Sequence, residues 1–244
     1  MDLDFIYDNM NLKKYQEKFD ILQSIIGKQA QTIIEIGGHY GEDTLRFHKF
    51  FPQAHIYSFE PDPRNITIFK RTCQYINNIT LIQKAASDTE GRQTFYQLFN
   101  KNNEHILDDK YKYIGHETYN ELNLSGSGAS SLKKSQQPEL NIYDTITVDT
   151  IRLDEWVKSN HVTSIDFLWI DVQGAESNVI SGCRDIINMI KFVQLEYGET
   201  DYVDGLTKGS TYQMMINNGF ELILDYNKFS SKGDFLFQNK KFSE

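Results

Sequence analysis

The chain has 244 residues, a formal charge of −9 and 39% hydrophobic residues, with 13% of the chain aromatic. That length suits one generous α/β domain, and the apolar content excludes wholesale disorder. The acidic balance argues against nucleic acid as a partner, and no window is dense enough in Lys or Arg to track phosphates.

The opening residues lack the basic end and apolar core of a signal peptide, and no apolar run approaches bilayer length. No membrane partner is expected. Cys73 and Cys183 are far apart and carry no paired motif, so a reduced, cytoplasmic protein is the expectation.

Asn11 to Ile26 repeats apolar side chains at helical spacing, and Gly27 ends the predicted helix. Thr32 to Ile36 reads as a strand, Gly37 to Gly41 as a tight turn, and the residues after Gly41 as a helix stopped at Pro52. Ala54 to Glu60 is a second strand. Pro61 and Pro63 break it before a helix over Arg64 to Tyr75, and Asn78 to Ala85 is a third strand. This β-α-β-α-β succession implies a parallel sheet with right-handed crossovers. Thr94 to Leu98 reads as an extension strand.

From Phe99 to about Asp144 the chain turns polar, with Ser125-Gly-Ser-Gly-Ala-Ser-Ser131 at its centre. A stretch of this length is read as a lid, with helical turns around His105 to Leu122. A strand at Ile146 to Ile151 and a helix at Leu153 to Ser159 follow. Ile165 to Val172 is the most apolar strand, as a central parallel strand requires. A helix from Gly174, a strand at Lys191 to Tyr197 and a helix at Thr211 to Asn218 come next. Phe220 to Tyr226 and Asp234 to Phe237 are expected to form an antiparallel hairpin at a sheet edge.

Four polar positions fall at predicted strand ends. Glu35-x-Gly37-x-x-x-Gly41 lacks the glycine spacing of a nicotinamide-dinucleotide turn, yet still lets a backbone approach a nucleoside. Glu60 lies where a carboxylate accepts both ribose hydroxyls. Asp88, after Ser87, is placed to accept from an adenine amino group, although an Asx turn explains it equally well. Asp171 closes the central strand, where a charge is costly unless it faces a crevice.

Together these segments resemble the class I S-adenosylmethionine (SAM)-dependent methyltransferases, and specifically the FkbM family. The resemblance is carried by Glu35-Ile-Gly37-Gly-His-Tyr-Gly41-Glu-Asp-Thr44, Phe59-Glu60-Pro61, Ala86-Ser-Asp88-x-x-Gly91, Gly128-Ala-Ser-Ser-Leu132, Thr150-Ile-Arg-Leu-Asp-Glu-Trp156 and Asp166-Phe-Leu-Trp-Ile-Asp171-Val-Gln-Gly-Ala-Glu176. Trp169 and Gln173 stand where many members have Lys and Glu, so no role of that pair transfers.

The resemblance implies a Rossmann-like α/β domain over residues 31–244. Its seven-stranded sheet is mostly parallel with an antiparallel C-terminal hairpin, a helical segment (1–30) packs on it, and a polar lid is inserted at about 99–144. It implies SAM held by Glu35, Gly37, Gly38, His39, Gly41, Glu60, Pro61, Ser87, Asp88 and Asp171, and methyl transfer to a hydroxyl of a sugar, nucleotide-sugar or similar small metabolite. Asp171, His39 and His116 are the candidates to take the acceptor proton, and Asp171 with Glu196 to share a divalent ion. A nicotinamide-dependent oxidoreductase and a non-catalytic nucleoside-binding module are the alternatives.

Overall fold

Ile33, Ile34 and Ile36 are all buried in the computed structural model, which describes residues 7, 12–100, 111–198 and 201–243. They belong to strand β1 (Thr32–Ile36), an interior strand of a seven-stranded sheet. The other strands are β2 (His55–Phe59), β3 (Ile79–Ile82), β7 (Ile165–Ile170), β8 (Ile190–Tyr197), β9 (Phe220–Asp225) and β10 (Gly233–Asn239), in the order β3-β2-β1-β7-β8-β10-β9. Pairings from β3 through β8 are parallel, while β10 runs antiparallel to both β8 and β9. Every residue of β7 is buried, as its unbroken apolar run requires of a strand covered on both faces.

Side chains alternate between two layers because strand residues point to opposite faces. Ile34, Ile36, Leu168, Ile170, Val193 and Leu195 pack under α5 (Leu153–Ser159), α6 (Glu176–Ser181) and α7 (Lys208–Asn217). Ile33, Phe167, Trp169 and Phe192 pack on the opposite face against Phe19 of α1 (Leu12–Ile26) and Phe47 and Phe50 of α2 (Glu42–Phe50). The helix α3 (Pro63–Cys73) starts with Asp62 as its cap and proline at its first position, where a missing N–H costs nothing.

The third predicted strand is shorter than expected. It ends at Ile82, and Ala85–Ala86 (β4) leaves to join a second sheet of order β4-β6-β5, with β5 at Gly91–Asn100 and β6 at Leu140–Ile151. The polar stretch after Phe99 is correspondingly more regular than a lid of loops. It contains α4 (His116–Glu121), a 3₁₀ turn (Ser127–Ala129) and the first half of β6. Residues 101–110, where the predicted helical turns begin, lie outside the described residues, as does Asn11.

Residues 111–132 form a roof over the carboxyl ends of β1 and β2. Tyr113, Ile114, Tyr119 and Leu124 are buried with Tyr40, Leu45, Ile68 and Phe69. Burial of each such side chain contributes about 1.5–3 kcal/mol. Arg64 pins the roof further: paired with Asp62 at 2.7 Å, it donates to Asn123 O (3.0 Å) and Ser130 Oγ (3.1 Å). Gln97 Nε2 adds a donor to the Asp62 carboxylate at 2.7 Å, so this buried ion pair has partners beyond itself.

Candidate functional site

The carboxyl ends of β1, β2 and β7 converge on one turn. Gly37 and Gly38 both donate their N–H to Phe59 O, at 2.9 and 3.0 Å. Gly37 has φ +98°, and a Cβ there would fall 1.8 Å from Asp171 O, so only glycine lets β1 and β7 close at this point. Next in the turn, His39 adopts φ +46°, a left-handed conformation that His tolerates better than most side chains. Its N–H donates to Glu60 Oε2 at 2.8 Å, while Asp62 N–H donates to Glu60 Oε1 at 2.8 Å. Burial and the neighbouring Asp62 push the Glu60 carboxyl up to about 7.

These residues line a cavity of ≈ 250 Å³. Its apolar lining comes from Pro61, Ala85, Ala86, Phe95 and Leu132; its polar lining includes Glu35, Glu42, Asp43, Arg46, Glu60 and Asp171. Glu35 is committed internally, accepting from Thr44 Oγ1 and from Ser58 Oγ (2.6 Å), and burial raises its pKa well above the usual range. Glu60 is less committed. Each oxygen of an ionised carboxylate accepts two hydrogen bonds; Oε1 also receives Asn65 Nδ2 at 3.4 Å, whereas Oε2 has its backbone donor alone and retains a lone pair. A carboxylate with a free acceptor site beside an apolar slot fits a nucleoside: a ribose hydroxyl on Glu60, adenine among Ala85, Phe95 and Leu132.

His39 is the centre of a second constellation. Its Nδ1 lies 3.3 Å from Glu42 Oε2 and its Nε2 3.3 Å from Ser127 Oγ, which is itself 2.6 Å from the Tyr40 hydroxyl. The ring stacks on Tyr40 at 3.5 Å between centroids, with Gly128 of the roof against its Nε2 edge. Burial works against the imidazolium, yet Glu42, with Glu60 and Asp171, leaves the His39 pKa raised above its ordinary value. Burial likewise opposes the Glu42 charge, which His39 outweighs, so the Glu42 pKa is lowered. A carboxylate on one ring nitrogen fixes the tautomer and strengthens the other nitrogen as a base.

Asp171 and Glu196 end neighbouring strands, as expected, but Gln173 stands between them. Its Nε2 donates to Asp171 Oδ1 at 2.6 Å and to Glu196 Oε2 at 2.9 Å. An amide N–H₂ aimed at two carboxylates is a donor where a cation would need an acceptor, so this arrangement does not fit the proposed divalent ion. Among the described residues no group of three or more His, Cys, Asp or Glu is arranged to hold a metal. Glu196 lines a separate small cavity of ≈ 20 Å³ with Gln173, Glu176 and Tyr202. Burial raises the pKa of both Asp171 and Glu196.

Of the sequence-predicted residues, Glu35, Gly37, Gly38, His39, Glu60, Pro61 and Asp171 line the main cavity. Four do not. Gly41 caps α2 with φ +87° and packs on Cys73 and Phe69. Ser87 and Asp88 follow β4 out of the sheet, where Ser87 Oγ donates to Asp88 Oδ1 at 3.1 Å and Arg152 binds Asp88 O. Asp88 is thus not among the residues that line the main cavity. His116 is exposed at the start of α4, away from the cavity. Ser127 lies in the Ser125–Ser131 stretch read as the centre of a lid, whereas sequence reasoning missed Glu42, Ala85 and Phe95 as site residues and Gln173 as the link between carboxylates. Glu42 alone gave a signal, three residues after His39 at a helix start.

The methyltransferase FkbM domain model matches residues 35–222. The chain belongs to the FkbM family. Among curated relatives it is 30% identical over 219 residues to the 2-O-methyltransferase NoeI of Sinorhizobium fredii, covering 89% of this chain and 83% of that protein. It is 25% identical over 159 residues to Methyltransferase 1 of Beauveria bassiana, covering 63% and 58% of the two chains. Among solved structures, a protein described as an rRNA methylase from Clostridium thermocellum superposes with a TM-score of 0.50 at 8% identity, over 91% of this chain and 93% of that one. That likeness establishes the fold alone. This FkbM-family chain is thus a SAM-dependent methyltransferase on the class I fold, not a nicotinamide-dependent oxidoreductase. No helix among its described residues is long and apolar enough to cross a membrane.

Proposed function

We propose that the enzyme methylates a hydroxyl oxygen of an uncharged sugar or glycan, with His39 as the general base. The observation that carries this reading is the Glu42–His39 pair inside the cavity that Glu60 and Asp171 also line. The 2-O-methyltransferase relative supports an oxygen acceptor.

Bound SAM supplies an electrophilic methyl group on a sulfonium. Glu60 would hold the ribose, and Pro61, Ala85, Phe95 and Leu132 would enclose the adenine and exclude water from it. His39 Nε2 would take the acceptor hydroxyl proton as the oxygen becomes nucleophilic, while Glu42 holds Nδ1–H and steadies the resulting imidazolium. The 3.3 Å separation from Ser127 Oγ is long for a hydrogen bond, so an entering hydroxyl competes for Nε2 on good terms. Asp171 would orient that hydroxyl. Much of the acceleration comes from holding the reacting atoms in line.

Charge argues for the acceptor class. Five carboxylates line the cavity, and the cations among its described lining, Arg46 and His39, already face Asp43 and Glu42. Lys133 and Lys134, which follow the roof directly in sequence, are not in the lining. A phosphate would meet no cation in the described lining that does not already face a carboxylate. Transfer of labelled methyl to neutral oligosaccharides should therefore exceed transfer to the matching nucleotide-sugars by at least about tenfold in kcat/KM, a difference of ~1.4 kcal/mol. Equal or better transfer to nucleotide-sugars overturns the acceptor assignment.

The site reading is checked first by calorimetry. S-adenosylhomocysteine should bind the wild-type protein, and Glu60→Gln should weaken that binding about tenfold or more, since it exchanges a charged acceptor for a half-donor. Unchanged affinity in Glu60→Gln would remove Glu60 from the cofactor site.

A further inference from the structure

The turn after β7 holds two consecutive left-handed residues, Gln173 at φ +56° and Gly174 at φ +93°. Glycine is needed at 174 because a Cβ would fall 2.5 Å from Tyr202 Cβ. Nothing comparable demands glutamine at 173, where a non-glycine residue in this conformation carries a cost of order 1 kcal/mol. Side chains held in such conformations are candidates for a task.

Both ends of the Gln173 amide have partners. Its N–H₂ spans Asp171 Oδ1 and Glu196 Oε2, and its Oε1 lies 3.1 Å from the Tyr202 hydroxyl. The flipped amide would set its oxygen against two carboxylates, so these partners determine its orientation. Tyr202 in turn reaches Ala129 O of the roof at 2.7 Å, and Ser131 Oγ donates to Val172 O at 3.0 Å. Asp171 is therefore held by Oδ1 alone: among the described residues Oδ2 accepts no hydrogen bond, and Asp171 lines the main cavity.

We infer that Gln173 is a positioning residue for methyl transfer, its amide clamping Asp171 to Glu196 so that Asp171 Oδ2 is presented to the acceptor hydroxyl. The inference rests on the proposal that Asp171 orients the acceptor, and goes beyond it by assigning roles to Gln173, at the cavity's edge, and to Glu196 behind it. Without the clamp the two carboxylates share no donor, and Asp171 is free to turn away. Misplacement of an orienting group by about 1 Å costs on the order of 10²-fold in rate.

Gln173→Asn is the informative variant. Asn tolerates left-handed backbone better than almost any other side chain, so the turn is kept. It lacks one methylene and cannot reach both carboxylates. The expected result is a fall in kcat of about 30–100-fold, with S-adenosylhomocysteine affinity within twofold of wild type. Glu196→Gln, whose amide oxygen still accepts from Gln173, should retain kcat within about threefold, whereas Glu196→Leu should fall with Gln173→Asn. A purely structural role predicts instead that cofactor affinity and kcat fall together. Wild-type kcat in Gln173→Asn overturns the inference. If Asp171→Asn loses turnover and Gln173→Asn does not, the inference fails while the role of Asp171 stands; wild-type turnover in Asp171→Asn ends both.

Discussion

His39→Asn is expected to lower kcat by about 10²–10⁴ while leaving S-adenosylhomocysteine affinity within a few-fold, the range spanned by loss of a general base. Asn is the replacement of choice because position 39 is left-handed, at φ +46°, where a β-branched or bulky side chain would distort the turn. The backbone N–H of residue 39, which holds Glu60, is thereby retained. What disappears is a nitrogen that can carry a proton.

Glu42→Gln gives the complementary result. The Glu42 carboxylate stabilises the imidazolium, so its removal lowers the His39 pKa. The acidic limb of the kcat/KM profile should then move to lower pH, with a reduced plateau because the weaker base drives proton transfer less well. Rapid turnover by His39→Asn across the pH range, or an acidic limb unmoved in Glu42→Gln, would dismiss His39 as the base.

The ligand-free protein should lose stability as pH rises from about 5 to 8.5, the reverse of ordinary carboxylate behaviour. Glu60 and Glu176 are both fully enclosed, and burial is the largest cause that takes each from 4.5 to about 7. An acid whose folded pKa exceeds its unfolded value binds more protons when folded, so its contribution is full below pH 4.5 and lost as pH climbs through 7. Each unit of pH in that window removes up to ~1.4 kcal/mol per group. Burial raises Asp171, Glu196 and Glu35 in the same direction. The raised pKa of His39 also acts the same way, its contribution being present at low pH and lost above its folded pKa.

Between pH 6 and 8.5, Glu60 and Glu176 alone amount to roughly 3 kcal/mol, or a fall in Tm of about 5–10 °C for a chain of this size. Differential scanning calorimetry checks it. SAM should flatten the slope more than S-adenosylhomocysteine, because only the sulfonium favours ionised carboxylates nearby. A Tm that is level or rising over this range contradicts the burial argument.

The parts of the site legible in the sequence share one property: each is a polar or glycine residue that interrupts an apolar run. Glu35, Gly37, Glu60 and Asp171 announce themselves because a buried parallel strand tolerates such residues only where it ends. Ala85, Phe95 and Leu132 send no such signal, since an apolar cavity wall and a core position look identical in one dimension. Asp88 does not line the main cavity, although Ala85 and Ala86 just before it do. The strand before it stops at Ile82, and Ala85–Ala86 pairs with β6, a change of sheet that no periodicity marks. His116 was misplaced because a polar segment gives no face by which to judge exposure. The partnership of Asp171 and Glu196 was read correctly as adjacency, but the occupant of the space between them comes from a left-handed turn that no periodicity reveals.

Between Asn123 and Ala129 the roof is gripped largely by its main chain. Arg64 holds Asn123 O, the Tyr40 hydroxyl holds Leu124 O, and Tyr202 holds Ala129 O, while Asn100 N–H donates to Ser125 O. Carbonyl groups are the same whatever residue bears them. Positions such as Gly128 and Ala129, whose side chains make none of these bonds, can therefore be exchanged during divergence, or in a directed library, without releasing the path of the segment. New acceptor preferences are open to this enzyme through roof side chains alone, with the frame that carries the cofactor left untouched.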